Sequence, residues 1–444
     1  MIFRNTLCCI WLLLAISACN SPSPTTSSDP LAQTIPSSTA MISKAADPVT
    51  RTHNSPEETA VDPSTAVPPT PTATENEITF IKTFGGNRRD RGINLLQTAD
   101  GGYAIIGLTS SLEAIQEDVY LVRLDPQGEV LWTKTYGGEG DDNGWDILQT
   151  EDGGFLIAGF TNSFGAGEMD IYLIRTDATG KLLWERTFGG PKSEYGWSMA
   201  PAFDGGYVLA GQTDSYGEGD IDGYLVKVNA EGEEIWSQTF GGPQEDRLFS
   251  IDQSADSGFV VAGTTRSFGA GSRDVYLLNV NNSGEVVWTG IFGEKQDDVG
   301  HAVRQTAEGG YIVTGYTKSF GARNYDTWLI KTDEVGDLLW QKFFGEAGDD
   351  RTIYGEQTDD GGYISTGYTT SFDSIGLDLF LMRTDSSGQV TWHKTFGGRA
   401  EDTGYTVKQT ADHGFVLTGE TYSSGEGGGD MVVIKVNQDG EIIE

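Results

Sequence analysis

The chain has 444 residues, a formal net charge of −36 and a pI of about 4.3. An acidic surface of that size repels phosphate backbones and anionic lipid, which argues against a nucleic-acid partner; it serves solubility, or else suits cations or a basic partner. All three cysteines, Cys8, Cys9 and Cys19, precede Asn20, so the part that folds has no disulfide, thiolate zinc site or cysteine nucleophile.

In chain order the first element is a processing signal. Arg4 supplies a positive start, and Leu7 to Ile16 is an apolar run too short to span a bilayer. It ends in Ile16-Ser17-Ala18-Cys19, which resembles the lipobox of bacterial lipoproteins. The resemblance implies that residues 1–18 are a cleaved signal peptide and that Cys19 becomes the acylated first residue, anchoring the chain to a membrane. The alternative is an ordinary secretory signal with a chance cysteine. With Asn20 rather than Asp after the cysteine, the family's sorting pattern favours the outer membrane where the host envelope has one. Residues 19–76 then read as a tether: ten of the fourteen prolines lie there among Ser, Thr and Ala, with no apolar periodicity to offset the entropy of ordering. As a flexible coil it would average ~40 Å end to end, and more where proline stiffens it.

From residue 77 to 444 the chain repeats itself. Length alone would suggest two or three domains, but Gly107, Gly159, Gly211, Gly263, Gly315, Gly367 and Gly419 recur every 52 residues without insertion. Each copy opens on a strand bearing a tryptophan, Trp132, Trp184, Trp236, Trp288, Trp340 and Trp392, with Phe80 at that place in the first copy. That strand runs to an aromatic-Gly pair such as Tyr136-Gly137, followed by a loop with an acidic residue. In the second copy the next strand is read over Trp145–Thr150, the turn is Asp152-Gly153-Gly154, and an apolar strand covers Phe155–Thr161. A glycine-rich loop leads to a fourth strand over Asp170–Asp177. The runs are short, β-branched and aromatic, and the Gly turns supply the positive backbone angles of tight connections.

No connection is long enough for a crossover helix, so the sheets are antiparallel. Four short strands in each of seven copies predict an all-β chain, a seven-bladed β-propeller of four-stranded antiparallel blades. A β-solenoid is the alternative. The last copy runs out at Glu444, where the others have tryptophan, so the N-terminal strand Ile78–Phe84 is expected to complete the last blade and close the ring. The recurring pattern aromatic-Gly-Gly, Asp, Gln-Thr-x-Asp-Gly-Gly-Tyr, Gly-x-Thr-x-Ser and Asp-x-Tyr-Leu resembles bacterial β-propeller repeats of the SBBP type across all seven copies, and quinoprotein-type propellers more loosely. The first resemblance implies an exported, surface-associated protein without an assigned reaction.

Two acidic positions recur. One is Asp90, Asp142, Glu194, Asp246, Asp298, Asp350 and Asp402; the other is Asp118, Asp170, Asp222, Asp274, Asp326, Asp378 and Asp430. Both lie in connections of the same parity, so the fourteen carboxylates should ring one face while the other carries only Gly turns. Carboxylates in glycine-rich loops suit calcium. The structural alternative is that each accepts backbone N–H groups and shapes its loop, helped by the Thr161 and Ser163 positions, and presence in every copy favours that alternative. The six tryptophans read as packing between blades rather than a sugar platform.

A unique site belongs where copies differ. The candidates are Arg88, Arg89 and Arg91, Pro201 in place of Gln, Leu248, His413 in an Asp-His-Gly turn, and His301 near Asp297-Asp298. The arginines read as a solvated loop or an anionic-ligand patch, and the histidines as surface residues. None forms a triad or ligand set, so no catalytic residue and no cofactor is expected. The functional expectation is a monomeric, lipid-anchored, extracytoplasmic propeller of the bacterial cell envelope, a non-catalytic platform for protein or glycan. The alternatives are a quinoprotein dehydrogenase using pyrroloquinoline quinone, and a polysaccharide-active enzyme on the acidic face.

Overall fold

A computed structural model describes residues 78–443 except 113, 322, 323 and 373. The chain divides into two units, Met1–Pro71 and Thr72–Glu444. The signal peptide, Cys19 and the tether lie outside the described residues.

Twenty-eight strands form seven antiparallel four-stranded sheets, and the described residues contain no helix. Blades 1 to 6 span 90–136, 142–188, 194–240, 246–292, 298–344 and 350–396, each a meander of four consecutive strands. Blade 7 takes three strands from 402–436 and a fourth from Phe80–Phe84. That last strand pairs antiparallel with Asp430–Val436, from Phe80 opposite Lys435 to Phe84 opposite Met431, so the ring closes as the sequence implies. The Thr79 hydroxyl donates to the Ile443 carbonyl at 2.9 Å, and the Ile443 N–H donates back to it at 2.8 Å.

The burial of each strand follows from its place in the blade. The second and third strands are buried because a neighbouring blade covers each face; Phe155–Thr161 and Asp170–Thr176 are buried along almost their whole length. The outer strand, such as Val130–Tyr136, is largely exposed. The first strands meet one another round the axis. They begin earlier than the sequence reading placed them: in blade 2 at Asp142 rather than Trp145, ending at Gln149. A β-bulge between Gly144 and Asp146, repeated at the same place in every blade, breaks the two-residue alternation within this strand. The fourth strand stops at Thr176, and the closing strand starts at Phe80 rather than Ile78, since neither 177 nor 78 has a ladder partner.

The tryptophans stand between blades. Trp132 meets Phe155 edge-on at 6.1 Å and lies over Gly180 of blade 2; Trp340 and Trp392 meet Tyr363 and Phe415 in the same way. Trp184, Trp236 and Trp288 likewise lie over Gly232, Gly284 and Gly336. Phe80 takes the equivalent place in the closing strand, against Tyr103 and Gly128.

Candidate functional site: the axial channel

The channel is built from the first strands, and the bulge decides what lines it. Ile93, Trp145, Trp197, Phe249, His301, Ile353 and Tyr405 are the bulged residues, one per blade. With the residues that follow them they line an axial cavity of about 210 Å³. Its aromatic wall is continuous on one side: Trp197 lies 5.0 Å from Phe249, Phe249 stacks on His301 at 5.0 Å, and His301 lies 5.4 Å from Tyr316. His301 is therefore a wall residue of the channel, not the surface histidine expected from its neighbours in sequence. Burial, and then the charge of Arg351, lower its pKa to about 4, so the ring is neutral at physiological pH.

Beneath the aromatic residues runs a polar belt that links the blades in a circle. Each first strand is the inner edge of its sheet, so its backbone N–H groups facing the axis have no ladder partner and must find acceptors on the neighbouring blade. Asn94 donates to Asp146 at 2.7 Å, and Asp146 accepts the Met199 N–H at 2.8 Å. Ser198 accepts from Ile251, Ser250 from Val303 at 3.2 Å, and Asp252 from Gln305 at 2.9 Å. Arg304 donates to Tyr354 at 3.1 Å, Glu356 accepts the Gln409 N–H at 3.1 Å, and Thr406 closes the circle on the Ile93 carbonyl at 2.9 Å. Lys408 donates to Tyr354 and, at 2.9 Å, to Glu356. Burial alone would lower the Lys408 pKa, but Glu356 and Tyr354 outweigh it and hold it raised; burial pushes Asp146 up against the pull of its hydrogen bonds. A second cavity of about 240 Å³ toward the Gly-turn face shares Asn94, Asp146 and Arg304 with the first.

The charged members of this belt were missed in the sequence. Asp146, Asp252, Arg304, Glu356 and Lys408 sit inside the first strands of their blades, and a charged residue within a strand was the available signal. Of the positions singled out for differing, Leu248 is a packing exchange: it stands where most blades have glycine and fills the space left by Gly223 in the neighbouring third strand. Pro201 replaces a glutamine that elsewhere accepts a backbone N–H from the adjacent turn, as Gln149 does from Ala99 at 3.0 Å. His413 is an exposed turn residue with φ of 61°, 3.4 Å from Asp359. Arg89 and Arg91 are not an open anionic-ligand patch, because both close on the buried Glu420, at 2.7 and 2.8 Å. Arg88 donates to the Ala114 carbonyl at 3.3 Å.

The two acidic positions meet in pairs across blade boundaries on one face. A methyl group added at Gly137 would stand 2.5 Å from Asp142 Oδ2 and 2.7 Å from Asp118 Oδ1; Gly85, Gly189, Gly241, Gly293, Gly345 and Gly397 sit in the same way between the other pairs. Asp142 Oδ2 accepts the Gly138 N–H at 2.8 Å and the Ser163 hydroxyl at 2.6 Å; Asp90, Asp246, Asp298, Asp350 and Asp402 accept the matching donors, and Glu194 accepts from Gly190. Asp170 and Asp274 each accept two loop N–H groups. Asp222 accepts the Gly219 N–H, Asp378 the Ile375 N–H and Asp430 the Gly427 N–H, while Asp326 stands beside Gly345 and Asp350. Oδ1 of Asp118, Asp142, Asp274 and Asp378 is buried without a hydrogen-bond partner. Burial, and then the neighbouring carboxylate, raise the Asp118 pKa. Among the described residues no three or more His, Cys, Asp or Glu side chains are placed to share a metal ion. The opposite face carries more than Gly turns: Asp100, Asp152, Asp204, Asp360 and Asp412 there pair with Arg123, Arg175, Lys227, Arg383 and Lys435.

No protein-family model matches the chain. It is 27% identical over 157 residues to the regulatory protein FlaEY of Caulobacter vibrioides, a match covering 30% of this chain and 16% of that protein. Among solved structures, the S511A mutant of puromycin hydrolase complexed with PGG is similar with a TM-score of 0.52 and 13% identity, over 81% of this chain and 55% of that one. The WD40 domain of Pan2 from Neurospora crassa is similar with a TM-score of 0.50 and 8% identity, over 82% and 97%. At these identities the likeness is one of fold, the β-propeller.

Proposed function

We propose that this chain is a lipid-anchored, extracytoplasmic binding protein that takes a glycan end-on into its axial channel and does not transform it. The observation that carries the reading is the ring of bulged residues. Trp145, Trp197, Phe249 and Tyr405 offer aromatic faces, with Asn94, Ser198, Ser250 and Thr406 of the polar belt one residue further on. Aromatic faces beside hydroxyl and amide groups complement a sugar ring, which has apolar C–H faces and a hydroxyl rim. Support for a non-catalytic role comes from the carboxylates of the belt: Asp146, Asp252 and Glu356 each accept a backbone N–H of the next blade, which ties up the groups that acid–base chemistry would need. The anchor rests on the lipobox-like run ending at Cys19.

A glycan array probed with the full chain tests the channel. Binding that falls at least tenfold with Trp197→Ala is expected, since stacking contacts contribute about 1–3 kcal/mol each. No glycan bound, or binding that survives both Trp197→Ala and Tyr405→Ala, would sink the reading. Incorporation of labelled fatty acid that persists in Cys19→Ser would remove the anchor.

A further inference from the structure

In a strongly acidic protein, blade 4 carries a concentration of unneutralised positive charge. Arg247, Arg266 and Arg273 converge on one carboxylate, Glu245, at 3.8, 3.7 and 3.7 Å. These separations are ion pairs without hydrogen bonds. Among the described residues none of the three guanidinium groups donates a side-chain hydrogen bond, and Nε of both Arg247 and Arg266 is buried without a hydrogen-bond partner. Asp214 is a second carboxylate that acts on Arg247. The three guanidinium groups thus surround Glu245 with their N–H forks unused.

The contrast with blade 7 is instructive. Arg89 and Arg91 also share one carboxylate, but they touch Glu420 at 2.7 and 2.8 Å, and Glu420 is 5% exposed. That cluster is closed. The blade 4 cluster is open: its carboxylate, Glu245, is 32% exposed, and no guanidinium group comes within hydrogen-bond distance of it. The backbone also holds it in place: the Arg266 N–H donates to the Glu245 carbonyl at 2.9 Å, and the Arg273 carbonyl accepts the Asp298 N–H at 2.8 Å. Arg247 stands two residues before Phe249 of the channel wall, on the face with the carboxylate pairs.

We infer that Arg247, Arg266 and Arg273 form a binding site for an oxyanion, a carboxylate, sulfate or phosphate group carried by a ligand. A planar guanidinium presents parallel N–H donors that match two oxygens of such a group. The site rests on the first strand of blade 4 and the loops beside it, and stands or falls apart from the glycan reading of the channel.

Titration calorimetry of the full chain at low ionic strength, with inorganic sulfate, inorganic phosphate and acetate as separate probes, tests it. Saturable binding of at least one probe is expected, one anion per chain. Acetate binding would identify a carboxylate site, and sulfate or phosphate binding a tetrahedral one. Removing a charge-assisted partner in Arg266→Ala should weaken binding about tenfold or more, and removing the competing carboxylate in Glu245→Gln should tighten it about tenfold. Arg89→Ala, in the closed cluster, should bind as the unaltered chain does. No saturable binding of any probe overturns the site, and so does unchanged affinity in Arg266→Ala. Should that variant fail to fold, Glu245→Gln decides alone, and affinity no tighter than in the unaltered chain overturns the site.

Discussion

Trp132 of blade 1 covers Gly180 of blade 2 so closely that a methyl group added to that glycine would stand 2.8 Å from the indole ring. Gly180 also has φ of 75°, a conformation that disfavours any side chain. Gly205, with φ of 89°, carries the same backbone constraint but has nothing within 4 Å of an added methyl. The two sites separate packing from backbone strain. Gly205→Ala should cost about 1 kcal/mol, the left-handed penalty alone. Gly180→Ala should cost about 2–4 kcal/mol, because overpacking adds to it. Denaturant unfolding of the two variants measures the difference; equal losses would mean the Trp132 contact yields without cost.

Ring closure makes a second prediction. Phe80 does in the closing strand what tryptophan does in the other six, and it is 8% exposed against Tyr103 and Gly128. Phe80→Ala should destabilise the chain by about 3 kcal/mol through the cavity it leaves. It should also speed hydrogen exchange in Asp430–Val436, the strand that Phe80–Phe84 covers. Phe80→Trp should stay within about 1 kcal/mol of the unaltered chain, since the blade accepts that ring elsewhere. Unchanged exchange in Asp430–Val436 after Phe80→Ala would mean that the closing strand contributes nothing to the last blade's stability.

The channel histidine predicts a pH response. The His301 pKa is lowered to about 4 from 6.5, by burial first and then by Arg351. Between those values the unfolded chain binds a proton that the folded chain does not, so stability rises with pH through this window and is lost as pH falls from 6.5 toward 4. His301→Phe keeps the stacking on Phe249 and removes the proton. The unaltered chain should therefore lose on the order of 2 kcal/mol more than His301→Phe over that range. The comparison is needed because carboxylates with raised pKa values, Asp118 among them, act in the opposite direction. Parallel stability curves for the two proteins would place His301 in a more open setting than its contacts with Phe249 and Tyr316 imply.

The architecture was legible because the repeat shows it directly: Gly107 to Gly419 fix the period, and Phe80 and Glu444 at the tryptophan position point to the shared blade. The channel was not legible, for a local reason. Trp145 and Asp146 alternate like any neighbouring strand residues, whereas the bulge between Gly144 and Asp146 brings both to the axial cavity. Arg89 and Arg91 drew notice as a place where the first copy differs from the others, but their partner Glu420 lies more than three hundred residues away and meets them only when the ring closes. Leu248 stood out as a departure from glycine; its compensating Gly223 lies in the preceding blade.

The hydrogen bonds between Thr79 and Ile443 leave the two termini of the folded ring side by side. A molecule of this kind has no privileged origin. A short linker joining 79 to 443 would make the propeller endless, and it could be reopened at any of the Asp-Gly-Gly turns without severing a strand. Circular permutation would then move the ends of the chain to a different blade while the aromatic ring and the arginine cluster stayed where they are.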